Sequence, residues 1–269
     1  MSLSVIRINT TSTKGTALQQ AERVTIVPGS GVVTNRRFHF IDERGLLTNG
    51  KRTGKLGLIR SDYSEAVNVL TFVFPNGVVV RDTVRLGAEK VATDFYGRPV
   101  VGSVVDGPWA TAVSKFVGIG LRLVQVELPA TGTDVHPVTL ISRATMDFVR
   151  QSADGPVGRW EDRFRMLFEL DGLEAYEEDS WVDRRVVIGD AVIKVVGPVP
   201  RCVVTTYDPA TGVRDFNTLK AMQAARGVNT RELSTPTAHL PDGGKLLLGV
   251  YATVEQAGDV WRTCGVTPQ

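Results

Sequence analysis

Short apolar runs, broken at regular intervals by turn residues, carry most of this chain. The runs at 67–74 (VNVLTFVF) and 78–86 (VVVRDTVRL) flank Pro75-Asn76-Gly77. Two β-branched runs on either side of Asn-Gly predict a β-hairpin, because Asn and Gly tolerate the positive φ that a tight turn demands. The stretch 38–48 (FHFIDERGLLT) predicts a second hairpin, turning at Glu43-Arg44-Gly45. Further strands are predicted at 98–105, 121–128, 184–196 and 246–254, with a tight turn at Gly189-Asp190. That spacing belongs to a barrel or sandwich. Helical period is rarer. Trp109, Ala112, Val113, Phe116 and Val117 share one helical face, with Pro108 in the first turn and Gly118 as a stop. Ser142 is placed to cap a second helix, and Thr218 a third that ends at Gly227. The fold class expected is mainly β with a few short helices (α+β). Two units are expected, residues 1–128 and 129–269, parted near the loop at 131–135.

Composition narrows the class of function. A chain of 269 residues with 42% hydrophobic and 22% charged residues can bury a sizeable core in water. The net charge of +2, with no basic block, argues against a nucleic-acid or membrane surface. No apolar run approaches the ~20 residues of a membrane span. The first residues lack the charged flank and apolar core of a signal peptide. Cys202 and Cys264 cannot make a disulfide framework, so a reducing cytoplasm is the expected location. His39, His136 and His239 are too scattered for zinc-ligand spacing.

Three stretches carry candidate chemistry. In 199–212 (VPRCVVTTYDPATG), Pro200 cannot donate to a ladder, so a strand is expected to begin at Arg201. A guanidinium beside a thiol favours the thiolate, which attacks electrophiles and binds soft metals. A small buried Cys202 beside a solvated Arg201 is the plainer alternative. In 163–181, Arg163 and Arg165 are expected on one face of a strand, where they could grip a phosphate or simply face water. Glu177, Glu178 and Asp179 read as a solvated turn. Near the start, Lys14, Gly15 and the hydroxyls of TTSTKGT could line an anion site, with Arg36-Arg37 adding charge. No phosphate-loop, dinucleotide-binding or Gly-x-Ser-x-Gly signature is present.

Taken in order, several motifs resemble the MOSC proteins, the family named for the C-terminal domain of molybdenum cofactor sulfurases. They are the opening TTSTKGT with NRRFHF, then HPVTLISRATMDFV, FRM, YEEDSWVDRRVVIGDAVIKVVGPVPRCVVTTYDPATGV and LLLGVYATVEQAGDV. The resemblance is to the amidoxime-reducing subfamily with an N-terminal β-barrel extension. It implies a MOSC β-barrel of the pyruvate-kinase-barrel type plus that extension, holding a molybdenum–pterin cofactor (Moco). By the same resemblance Cys202 ligates molybdenum, Arg201, Arg165 and Arg37 hold the pterin and its phosphate, and Ser12 and Tyr251 contact the cofactor. Three positions depart from the family pattern. Thr11-Ser12 stands for Lys-Ser, Phe164-Arg165-Met166-Leu167 for Phe-Arg-Pro-Asn, and Val135-His136 for a Thr-Ser pair. The implied activity is a molybdenum-dependent oxidoreductase that reduces a small, N-hydroxylated substrate. A separate electron-donating reductase is implied as partner, because no flavin or nicotinamide fingerprint appears. A sulfur carrier using a Cys202 persulfide, or a barrel that has lost its cofactor, are the alternatives.

Overall fold

The computed structural model describes residues 2–129, 131–153, 157–226 and 246–269; His239 and the expected helix stop Gly227 lie outside them. The first half contributes β1 (Ser4–Thr10), β2 (Gln19–Gln20), β3 (Arg23–Ile26), β4 (Phe38–Asp42), β5 (Leu47–Thr48) and β6 (Arg60–Ser64). It continues with β7 (Val69–Val73), β8 (Val79–Thr83), β9 (Arg85–Phe95), β10 (Arg98–Asp106), α1 (Trp109–Val117) and β11 (Leu121–Val126). The second half contributes β12 (Val138–Ser142), α2 (Arg143–Gln151), β13 (Phe168–Asp171), β14 (Arg185–Ile188) and β15 (Ala191–Pro200). The chain closes with α3 (Thr218–Arg226), β16 (Leu247–Gln256), β17 (Gly258–Trp261) and β18 (Val266–Pro268). The molecule is mainly β with short helices, as the hydrophobic pattern predicts.

The larger sheet runs β18-β14-β15-β16-β12-β13-β1-β2. It curls shut, because Ser4 at the start of β1 bridges Gly265 just ahead of β18. Val5 N–H donates to the Cys264 carbonyl at 3.1 Å and Val266 N–H to the Leu3 carbonyl at 3.1 Å, completing the ring. Closure leaves no unpaired edge between these strands. Period-2 alternation fills the interior: in β15, Ala191, Ile193 and Val195 are wholly buried while their neighbours are half-exposed. They pack with Val5, Ile8, Leu140, Phe168 and Val250. β1 thus comes from the first half of the chain yet pairs with β13, and β3 pairs with β17.

The rest of the first half builds a five-stranded sheet, β5-β4-β11-β10-β9, and a three-stranded sheet, β6-β7-β8. Phe38, Phe40, Phe72, Trp109 and Leu123 form their shared core, and Trp109 Nε1 donates to the Leu70 carbonyl at 3.0 Å. α1 stops where Gly118 takes φ 77°, a conformation that costs glycine little. The segment after β1 stitches the sheets together. Lys14 N–H donates to the Phe38 carbonyl and Ala17 N–H to that of Ile59, both at 2.8 Å.

Local detail departs from expectation in four places, the first being that Asn217 rather than Thr218 caps α3, its Oδ1 accepting from Lys220 N–H at 3.0 Å. The strand expected from Arg201 instead ends at Pro200, whose missing donor suits a strand terminus, and Cys202 caps the 3-10 turn Val203–Thr206. Arg163 and Arg165 do not share a strand face, because Arg163 closes the 3-10 turn Glu161–Arg163 and Arg165 sits at φ 55°. Glu178 is fully buried rather than solvated. It accepts from Ser142 N–H at 3.2 Å and Thr145 Oγ1 at 2.9 Å, beneath the Ser142 cap of α2.

Candidate functional site

A solvent-open cleft of about 850 Å³ lies where the two halves meet. Its walls are the loop after β1 (Lys14, Gly15), the turn at Asn49-Gly50, the β9–β10 hairpin tip (Tyr96) and the segment ahead of β12 (Asp134, His136). The 163–166 turn, the segment following β15 and Tyr251 of β16 close it. Placement at the ends of rigid strands fixes these groups while leaving them accessible.

Cys202 is a half-buried free thiol on this wall. Its carbonyl accepts from Thr205 N–H at 3.2 Å and Thr205 Oγ1 at 3.0 Å, and that hydroxyl meets Thr218 Oγ1 of α3 at 2.6 Å. The preceding guanidinium is held by several groups at once. Arg201 Nη2 donates to the Phe164 carbonyl, Nη1 approaches Met166 Sδ at 3.2 Å, and the group stacks 5.6 Å from the Phe164 ring centroid. Its Nε is buried without a hydrogen-bond partner among the described residues. Arg165 Nη2 donates to the Thr16 carbonyl at 2.6 Å, and Arg36 Nη2 to the Arg165 carbonyl at 3.3 Å. Positive φ at both Arg36 (53°) and Arg165 (55°) turns the backbone so that one residue's guanidinium reaches the other's carbonyl.

Charge in the cleft is unbalanced. Among the described residues, Lys14, Arg36, Arg165 and Arg201 line it with one carboxylate, Asp134, whereas Arg163 is already matched to Asp215. Lys14 Nζ meets Asp134 Oδ1 at 2.5 Å and also donates to the Gly132 carbonyl at 3.2 Å. Desolvation works against the Asp134 carboxylate, yet Lys14, Arg36 and Lys51 hold it down to about 2. Burial and the neighbouring Arg36 push Arg165 down to about 10, and burial lowers Lys14, Arg36 and Arg201 as well. Burial raises the Tyr96 and Tyr251 phenols, and burial with Arg98 lowers His136. Such a set is relieved by a multiply charged anion with planar oxygen faces, a phosphate above all. Among the described residues, no three His, Cys, Asp or Glu side chains converge as a metal cage.

The MOSC domain model matches residues 127–266. This chain belongs to the MOSC domain family. Mitochondrial amidoxime reducing component 2 of Bos taurus is 26% identical over 277 residues, covering 93% of this chain and 77% of its own. The Homo sapiens protein of the same name is 25% identical over 278 residues, with the same coverage. Among solved structures, the YUAD protein from Bacillus subtilis aligns over 99% of this chain and 94% of its own, with a TM-score of 0.43 and 10% identity.

Of the residues singled out in the sequence, Cys202, Arg201, Arg165 and Tyr251 line this one cleft. Ser12 and Arg37 do not join them. Ser12 Oγ donates to the Ser61 carbonyl at 3.1 Å, and Arg37 Nη1 donates to the Val126 carbonyl at 2.8 Å, so both are spent on joining strands. Their near neighbours Lys14 and Arg36 line the cleft instead, and a cation in the first loop is thereby supplied despite Thr11. Thr11 is buried, with Oγ1 2.7 Å from that of Thr16. Lys14, Gly15 and Arg36 were legible as an anion-site pattern. Asn49, Tyr96 and Asp134 were missed, and the one available signal was an aromatic at a Tyr-Gly hairpin tip.

Proposed function

We propose that this MOSC protein is a molybdenum–pterin reductase that acts on small N-hydroxylated compounds with electrons from a separate reductase. The observation that carries the reading is the cation-lined cleft beside a free thiol, with the buried, unpartnered Nε of Arg201 inside it. These residues fit the cofactor's chemistry. Cys202 would offer a soft thiolate to the metal, and Arg36, Arg165, Arg201 and Lys14 would meet the phosphate and the polar edge of the pterin. When bound, such a centre supplies two-electron exchange and oxygen transfer. The relatives' names, amidoxime reducing components, favour the same substrate class.

A persulfide carrier would have no use for several converging guanidiniums. A barrel that had abandoned its cofactor would not be expected to keep Lys14, Arg36, Arg165 and Arg201 around one thiol. Both cysteines are free thiols, so we propose the cytoplasm, a reducing compartment, as the location. No described helix is long and apolar enough to cross a membrane. The test is turnover of an amidoxime by protein made in a cofactor-producing host. Reduced viologen dye should support reduction and nicotinamide alone should not. A sulfur carrier would instead accept a persulfide on Cys202 regardless of molybdenum.

A further inference from the structure

Tyr96 belongs to no motif singled out in the sequence, yet it lines the cleft with Cys202 and Tyr251. It stands at the tip of the β9–β10 hairpin at φ 57°, and the tip is pinned from both sides. Gly97 N–H donates to Asp94 Oδ1 at 2.8 Å, while Arg98 Nη2 donates to the carbonyls of Thr131 at 2.8 Å and Thr133 at 2.7 Å. On the other side Lys51 Nζ lies 4.4 Å from the Tyr96 ring centroid.

The hydrogen bond at the phenol has a defined direction. Asn49 Oδ1 accepts from Lys51 N–H at 2.9 Å, which orients the amide so that its Nδ2 donates to Tyr96 Oη at 2.8 Å. The phenol oxygen is therefore the acceptor there, and its own proton is left to donate elsewhere. No described residue takes that proton. Burial keeps the phenol protonated through the neutral range, so the hydroxyl remains a donor. Tyr96 thus offers a free phenol proton within the cleft that Cys202 also lines.

We propose that Tyr96 donates a hydrogen bond to the oxygen of the substrate's N–O group, and so selects small molecules bearing an acceptor oxygen on nitrogen. The proposal rests on the reductase reading and names the group that recognises its substrate class. The test uses cofactor-loaded wild type, Y96F, N49D and the double variant, with acetamidoxime as substrate and reduced methyl viologen as electron source. Molybdenum content is measured alongside. Y96F should keep full molybdenum while kcat/KM falls about tenfold, the scale of one neutral hydrogen bond. In N49D the new carboxylate still accepts from Lys51 N–H but captures the phenol proton, so the fall should be similar. The double variant should be no worse than either single one. An unchanged kcat/KM in Y96F or N49D, a double variant worse than Y96F, or molybdenum loss in Y96F would each overturn the proposal. A wild type that holds molybdenum but turns over no amidoxime removes the reductase reading and this proposal together, whereas an unaffected Y96F removes this proposal alone.

Discussion

Arg163 offers a quantitative test of the cleft's construction. Its side chain is 0% exposed, and Nη1 and Nη2 meet Asp215 Oδ1 and Oδ2 at 2.8 and 2.6 Å. The Asp215 side chain is 40% exposed. Removing the carboxylate strands a buried guanidinium, whereas removing the guanidinium returns the carboxylate to water. Breaking a buried pair from one side costs about 3–5 kcal/mol. Partial exposure of Asp215 places D215A near the lower end, at about 3 kcal/mol, equivalent to a fall of about 6–12 °C in Tm. R163M keeps most of the buried volume and loses mainly the pair and the 3.3 Å bond from Nε to the Gly158 carbonyl, so it should cost about 1 kcal/mol. The hydrogen bond from Arg163 holds the Asp215 carboxyl below its ordinary range. In acid the unfolded chain therefore binds more protons than the folded one. The pair's contribution is full above the unfolded carboxyl value of about 4, and it fades as pH falls through the folded value. Urea melts of both variants from pH 3 to 7 measure all of this. R163M less stable than D215A would refute the assignment of Arg163 as a structural ion-pair partner.

Arg165 and Arg201, which we propose hold the cofactor, separate from the structural Arg163. R165A and R201A should each weaken cofactor retention about ten- to a hundredfold, read as molybdenum lost on dilution, while R37A should retain it. Cys264 is 2% exposed within the barrel core, so C264S should lower stability by about 1–3 kcal/mol in a denaturant melt despite its place near the chain end. Desolvation raises Glu178 above the ordinary carboxyl range. The folded state then holds a proton that the unfolded state releases, so this group's contribution falls as pH rises from about 4.5 to the folded value, and E178Q should flatten that slope.

Local punctuation made the helices and hairpins legible. Pro108 and Gly118 bound α1, Ser142 caps α2, and Asn76-Gly77 turns the β7–β8 hairpin. Barrel closure was not legible, because Val5 and Cys264 meet across nearly the whole chain and no local pattern marks the pairing. The site was half legible for a related reason. Residue type pointed to Cys202, Arg201 and Arg165, and the family resemblance to Tyr251, but side-chain direction depends on backbone turns that composition does not encode. Positive φ at Arg36 and Arg165 breaks the alternation on which the strand-face reading of Arg163 and Arg165 relied. The family resemblance carried the expectation to Ser12 and Arg37, whereas Lys14 and Arg36 line the cleft. Glu178 looked solvated because a run of three acids in a turn normally is; burial beneath α2 is a tertiary fact.

In the function we propose, Cys202 holds the metal of a cofactor gripped by the surrounding cations. Elemental analysis of wild type and C202S, purified in parallel from a host that makes the molybdenum–pterin cofactor, tests it most directly. Near-stoichiometric molybdenum is expected in the wild type and a large loss in C202S, whose thermal stability should match that of cofactor-free wild type because the half-exposed thiol supports little packing. Equal molybdenum in the two proteins, or none in either, would contradict it.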